Sequence, residues 1–147
     1  MSTPKGGFEF GDATPVADLE DAGAVVHLRD LDDELMYYKL DNDDEEEPVT
    51  ITVAGSYSKK YKRAQNAQTT KAMKGARRGT RVTGEALQEQ LRDLASTCVL
   101  AWDGFFDKGE PMACERDNVV KVFERAPWIL EQVQAAQVDH ASFFRKS

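Results

Sequence analysis

The sequence predicts an α+β fold: a small antiparallel β-sheet of two to three strands packed on about four α-helices, behind a disordered acidic N-terminus. Three observations predict it. Val49-Thr50-Ile51-Thr52-Val53 alternates with the period of two of a half-buried strand. From Thr83 to Phe144 apolar residues recur at helical spacing, punctuated by Gly and Pro where helices end and begin. The first twenty residues scatter Pro4, Gly6, Gly7, Gly11 and Pro15 among acids, with too little apolar surface to order themselves.

Residues 1–20 are therefore read as a loose acidic tail and 21–147 as one domain, β-rich over 21–55 and helical over 56–147. Ala24 to Arg29 is a β-branched run and Glu34 to Leu40 a second apolar stretch carrying Tyr37 and Tyr38. With Val49 to Ala54 they form a meander whose second and third strands are joined by the hairpin loop Asp41–Pro48. Such a meander hides one face only, so it must pack against helices. Gly55-Ser56 supplies a turn and a helix cap. Tyr57, Tyr61, Ala64 and Gln68 follow at helical spacing, in a helix that runs to about Met73 and stops before Gly75. Gly75 to Gly79 then reads as a flexible basic linker.

Thr83 caps the next helix, whose stripe runs Leu87, Leu91, Leu94, Ala95, Cys98, Ala101 and Trp102 until Gly104 ends it. After a Gly/Pro turn, Asp117-Asn118-Val119-Val120 opens a helix with Val122, Phe123 and Ala126 on its apolar side. Pro127 suits the first turn of the last helix, where a missing N–H costs nothing. Ile129, Leu130, Val133, Ala136 and His140 point inward from it.

The length of 147 residues suits one modest core. No apolar run is long enough to span a bilayer, and the N-terminus lacks the apolar region of a signal peptide, so the expectation is a soluble cytoplasmic protein. Cys98 and Cys114 have no Cys-x-x-Cys pattern and no His pair, which argues against zinc, and Cys98 reads as a buried reduced thiol. His27 and His140 read as structural or exposed. Ser56-Tyr57-Ser58 has no base at suggestive spacing, so nucleophilic catalysis gains no support. The run Asp41–Glu47 lacks the Gly and the final Glu of a calcium loop, and there is no phosphate cradle. The chain is read as a non-enzyme without cofactor or metal.

The net charge of −7 conceals a segregation. Glu9 to Glu47 holds fifteen acids against two bases, whereas Lys59 to Arg81 holds nine bases and no acid. Separation on this scale implies electrostatic steering of a partner, or pairing of the two blocks within or between copies. A basic block can also lie along a phosphate backbone. The pI of about 4.9, the neighbouring acids and the absence of a base-reading motif favour a protein partner instead. Trp102 and Trp128 are expected core anchors. Phe105 and Phe106 in a turn, and Phe143 and Phe144 near the terminus, are harder to bury and are expected to form a protein-binding patch.

The order of motifs in the last third resembles the tail assembly chaperones and small tail-assembly proteins of tailed, siphophage-type bacteriophages. The matching residues are Trp102, Gly104, Gly109, Pro111, Arg116, Asp117, Asn118, Pro127, Trp128, Asp139, Ala141 and Phe143. Weaker matches are Gly23 to Arg29, Pro48 to Val53, and Ser58, Tyr61, Ala64 and Gln65. Glu115 stands where the family carries a Ser or Thr helix cap, and Glu does not cap as Ser does. The resemblance implies a protein that coats the long helical tape measure protein in the host cell cytoplasm. It would keep that protein soluble in multiple copies, or as a homo-oligomer, while the tail tube protein polymerises around it. The residues expected to meet the partner are Lys59, Lys60, Lys62, Arg63, Arg77 and Arg78, with Phe105, Phe106, Phe143 and Phe144. The alternatives are a structural protein retained in the virion, or a nucleic-acid-binding accessory protein acting through residues 59–81.

Overall fold

The computed structural model describes residues 5–8, 10–12, 15–40, 45–79 and 83–144. A 3-10 turn (Phe10–Asp12) precedes helix α1 (Val16–Ala22), and Gly23 leads into strand β1 (Ala24–His27). Two short strands, β2 (Tyr37–Tyr38) and β3 (Glu47–Pro48), come before β4 (Thr50–Val53). Helices α2 (Lys59–Arg77) and α3 (Gly84–Thr97) form an antiparallel hairpin that returns the chain to β5 (Val99–Asp103). The ribbon β6 (Phe106–Asp107) and β7 (Glu110–Pro111) precedes α4 (Arg116–Arg125), α5 (Pro127–Val138) and a closing 3-10 turn (His140–Phe143).

The α+β class is as expected, with five α-helices and a three-stranded sheet among the described residues. The sheet is antiparallel, in the order β1-β4-β5, with Val26, Ile51 and Trp102 in one row across it. Ile51 and Val53 are fully buried on the inner face, where Leu28, Cys98, Val119, Phe123, Ile129 and Val133 complete the core. Each large side chain so buried contributes about 1.5–3 kcal/mol. On the outer face Val25 stays 69% exposed, which makes this a one-sided sheet.

The third strand is not the one expected. Glu34–Leu40 contributes only β2, which pairs with β3 in a separate ribbon, Tyr37 opposite Pro48 and Tyr38 opposite Glu47. The hairpin loop expected over Asp41–Pro48, between this stretch and Val49–Ala54, is also corrected: Glu47–Pro48 are the partner strand rather than loop, and β4 pairs elsewhere, while Asp41–Asp44 lie outside the described residues. The edge of the sheet comes instead from Val99–Asp103, expected as the end of a helix. Ser96 and Thr97 turn their hydroxyls back to the carbonyls of Arg92 and Asp93, at 2.7 and 2.9 Å, as α3 ends. The apolar run beyond satisfies its backbone groups against β4, whose far edge would otherwise be open. The helical half of the chain thus supplies a strand, and Gly104 follows a strand rather than capping a helix. Its φ of +89 and a Tyr38 ring carbon 2.7 Å from where a Cβ would stand leave room for glycine only.

Other boundaries also moved. The cap of α2 is Ser58, whose hydroxyl accepts the Tyr61 N–H at 3.0 Å, and not Ser56. The helix continues through Gly75 to Arg77, since the surrounding Ala, Gln, Lys, Met and Arg outweigh one glycine, and Gly79, just past the Arg78 cap, turns the chain away at φ +81. The basic linker is therefore largely the last turn of α2, while Arg81 lies outside the described residues. The loose-tail reading fails at residues 16–20, which belong to α1 with Glu20 fully buried. Two expectations hold in detail: the Thr83 hydroxyl accepts the Ala86 N–H at 3.0 Å, and Pro127 opens α5. Glu115 precedes α4 without a side-chain cap bond, as its chemistry suggests.

Candidate protein-binding surface

Helix α2 is 19 residues long and buries none of them. Its half-covered positions, Tyr61, Ala64, Gln68, Ala72 and Gly75, face α3, where the Gln68 amide donates to the Gln90 carbonyl at 2.6 Å. Everything else is solvated, including Lys59, Lys60, Lys62, Arg63, Lys71, Lys74 and Arg77, with Arg78 at the cap.

Among the described residues the two charge blocks meet only at the start of this helix. Asp18 accepts a hydrogen bond from Lys59 Nζ at 3.3 Å, and Asp21 Oδ1 accepts the Lys60 backbone N–H at 3.2 Å. Asp21 and Ser58 thereby satisfy two orphan backbone donors of the first turn, and both acids complement its positive dipole end. The far end has no such company. Among the described residues no carboxylate comes within ion-pair distance of Lys71, Lys74, Arg77 or Arg78. Exposed apolar side chains accompany these cations on the hairpin: Met73 at 57%, Leu87 at 50% and Leu91 at 46% exposure.

The four phenylalanines divide. Phe105 stacks on Trp102, centroids 4.3 Å apart, and Phe106 lies against Tyr38 at 5.7 Å while remaining 40% exposed. Both line a cleft of about 610 Å³ between the β6–β7 ribbon and the junction of α4 with α5. Met36, Val49, Met112, Val122 and Ile129 share its apolar lining, and Lys108, Lys121 and Arg125 contribute cations. The ribbon turns through Lys108 and Gly109, both at positive φ, the pair of angles a two-residue hairpin loop requires. Phe143 corrects the expectation of an exposed terminal pair: it is buried, because the final 3-10 turn folds it onto Gly55, whose missing Cβ would stand 2.8 Å from the ring. Phe144 remains 49% exposed. The expected partner-binding residues thus fall on three parts of the fold, namely α2, the cleft and the chain's end.

Sequence reasoning missed one cluster altogether. His140 Nδ1 lies 2.9 Å from Glu20 Oε2, and its Nε2 lies 3.5 Å from Ser56 Oγ. The spacing of 84 residues between Ser56 and His140 hid a base that the fold places beside the hydroxyl. The surroundings make it a structural tie. Tyr57 stacks flat on the imidazole at 3.7 Å, and its N–H donates to Glu20 Oε1 at 3.0 Å. The Ser56 N–H is committed to the Gln137 carbonyl and the Ser58 N–H to that of Gly55, so the backbone donors beside the hydroxyl are all engaged. A buried carboxylate needs such partners. The cleft was missed for a different reason: Lys121 and Arg125 stand four apart on α4 around Val122, a visible signal, but its other wall comes from the distant ribbon.

Among the described residues no three His, Cys, Asp or Glu side chains gather as metal ligands, and no helix is long and apolar enough to cross a membrane. No protein family, curated protein or solved structure matches the chain.

Proposed function

We propose that this chain is a tail assembly chaperone of a tailed bacteriophage. In this reading it binds the tape measure protein, keeps it soluble, and promotes assembly of the tail tube around it. The observation that carries the reading is α2: a long helix with no buried residue and no acid, whose distal cations lack ion-pair partners among the described residues while Met73, Leu87 and Leu91 stand exposed on the same hairpin. A surface of that chemistry suits an amphipathic helix with acidic flanks, and the resemblance in the order of motifs from Trp102 to Phe143 supports the tape measure protein as the partner. Binding acts by mass action, lowering the free concentration of an aggregating chain, while unpaired cations raise the rate of encounter.

The test is co-expression with the tape measure protein encoded beside it. The chaperone should move that protein into the soluble fraction and co-purify with it. Charge reversal at Lys71, Lys74, Arg77 and Arg78 should abolish this without changing the melting temperature. An insoluble partner in the presence of abundant chaperone would refute the reading. Mass spectrometry of purified virions separates it from the alternative of a retained structural protein.

The acid-free basic face of α2 also favours a second reading, binding to a nucleic-acid backbone. Titration with duplex and single-stranded DNA at about 0.15 M salt discriminates. Saturable submicromolar binding to either would transfer this surface to nucleic acid.

A further inference from the structure

The cleft between the β6–β7 ribbon and the start of α5 is apolar at its base and cationic at its edge. Met36, Val49, Phe105, Met112, Val122 and Ile129 supply the apolar part. Lys108, Lys121 and Arg125 line it without an ion-pair partner among the described residues, and Asp107 is its one acid. At about 610 Å³ it falls within the roughly 300–1,000 Å³ typical of ligand sites. Its chemistry selects an occupant with large apolar side chains flanked by carboxylates.

One segment of this same chain has that composition. Phe8-Glu9-Phe10-Gly11-Asp12 sets two phenylalanines two residues apart among two acids. Phe8 and Phe10 are 81% and 85% exposed, the most exposed large hydrophobic side chains among the described residues. Two adjacent solvated phenyl groups are an unsatisfied apolar surface of the kind that marks an interaction site. Within one copy the segment does not occupy the cleft: Phe8 and Phe10 stand in solvent and neither lines it. Helix α1, which follows the segment, packs near the C-terminal end of α5 through Glu20 and His140, whereas the cleft lies at the N-terminal end, at Ala126 and Ile129. A second copy can bring the segment to the cleft without crossing that distance.

We propose that this cleft is the docking site for the Phe8–Asp12 segment of a second copy of the chain. The phenyl rings enter the apolar base, and Glu9 and Asp12 meet Lys108, Lys121 and Arg125. The inference goes beyond the chaperone reading and stands without it, because it concerns the chain's contact with itself.

Sedimentation of the full chain over a wide concentration range tests it. The protein should self-associate, and Phe8→Ser/Phe10→Ser should leave it monomeric. Lys121→Glu/Arg125→Glu, which changes the cleft without opening the core, should do the same. A fluorescent peptide spanning Lys5 to Asp12 supplies the direct arm. It should bind the Phe8→Ser/Phe10→Ser protein saturably, and at least tenfold more weakly once Lys121 and Arg125 are also reversed. Self-association that survives loss of both phenylalanines would overturn the proposal. So would a wild-type chain that stays monomeric throughout, and so would a peptide that ignores the charge reversal.

Discussion

Trp102 and Trp128 carry the same indole N–H into different surroundings. Trp102 Nε1 donates to the Met112 carbonyl at 2.9 Å and ties β5 to the chain beyond the ribbon. Trp128 Nε1 is buried without an acceptor. Removing one partner of a buried hydrogen bond costs about 1–3 kcal/mol, whereas removing an unpaired donor costs little. Trp102→Phe should therefore lower stability by about that amount and Trp128→Phe should be near neutral, as read by urea unfolding followed by circular dichroism. The two cysteines differ in the same spirit. Burial pushes the Cys98 thiol up from 9.0 to about 11, with Lys60 opposing the shift, while Cys114 is exposed. One thiol should react quickly with a disulfide reagent in the native protein, and Cys98 only on unfolding. Between pH 9.0 and about 11 the unfolded chain releases the Cys98 proton before the folded one does. The unfolded state then binds fewer protons, so stability should fall as pH rises through that window, and Cys98→Ala should remove this part of the fall.

Helix α1 has seven residues and would not persist alone, yet three acids on it organise the start of α2 and the end of the chain. Glu20 joins the Tyr57 N–H to His140, and Asp21 receives the Lys60 N–H. Leaving a buried hydrogen-bonding group without its partner costs about 1–3 kcal/mol. His140→Ala should cost on that order, and Glu20→Gln combined with His140→Gln should cost less than the two single changes together, a coupling that a double-mutant cycle reads directly. The hairpin of α2 and α3 behaves oppositely. It is held at its base, where Leu94, Ala95 and Ser96 are buried, and no described residue toward its tip is buried. Amide hydrogen exchange should find the α2 amides from Lys71 onward far less protected than those of β4, and partner binding should slow them.

Among the described residues charge is distributed so that the acids of α1 meet only the near end of the basic helix. On the proposed reading the distal cations are the part left for a partner. Reversing Lys71, Lys74, Arg77 and Arg78 should leave the melting temperature within a degree or two, because these side chains are exposed and without an ion-pair partner among the described residues. The same change should weaken association with an acidic helical partner, most at low salt, where charges remain visible beyond the roughly 10 Å Debye length of 0.1 M salt. A melting temperature that falls with charge reversal would show that the basic face supports the fold itself.

Local chemistry in the sequence was enough for the α+β class, β1, the centre strand β4, the Thr83 cap, the Pro127 start of α5 and most of the core. Each of these depends on neighbours within a turn or two: a period of two, a hydroxyl three residues from the amide it caps, a proline whose missing N–H needs no partner. Cys98 to Trp102 was different. Five apolar residues in a row satisfy helical and extended periods alike, and only the open edge of β4 selects between them. The Glu20–His140–Ser56 cluster and the cleft were equally illegible, because their members come together from residues up to 120 apart, as in the Glu20–His140 pair. Phe143 reads as a terminal, exposable aromatic until the backbone at Gly55 leaves a space for it. Packing across distant elements decided those positions, since an unpaired strand edge, a buried carboxylate and an unfilled gap are penalties that only the assembled chain can feel.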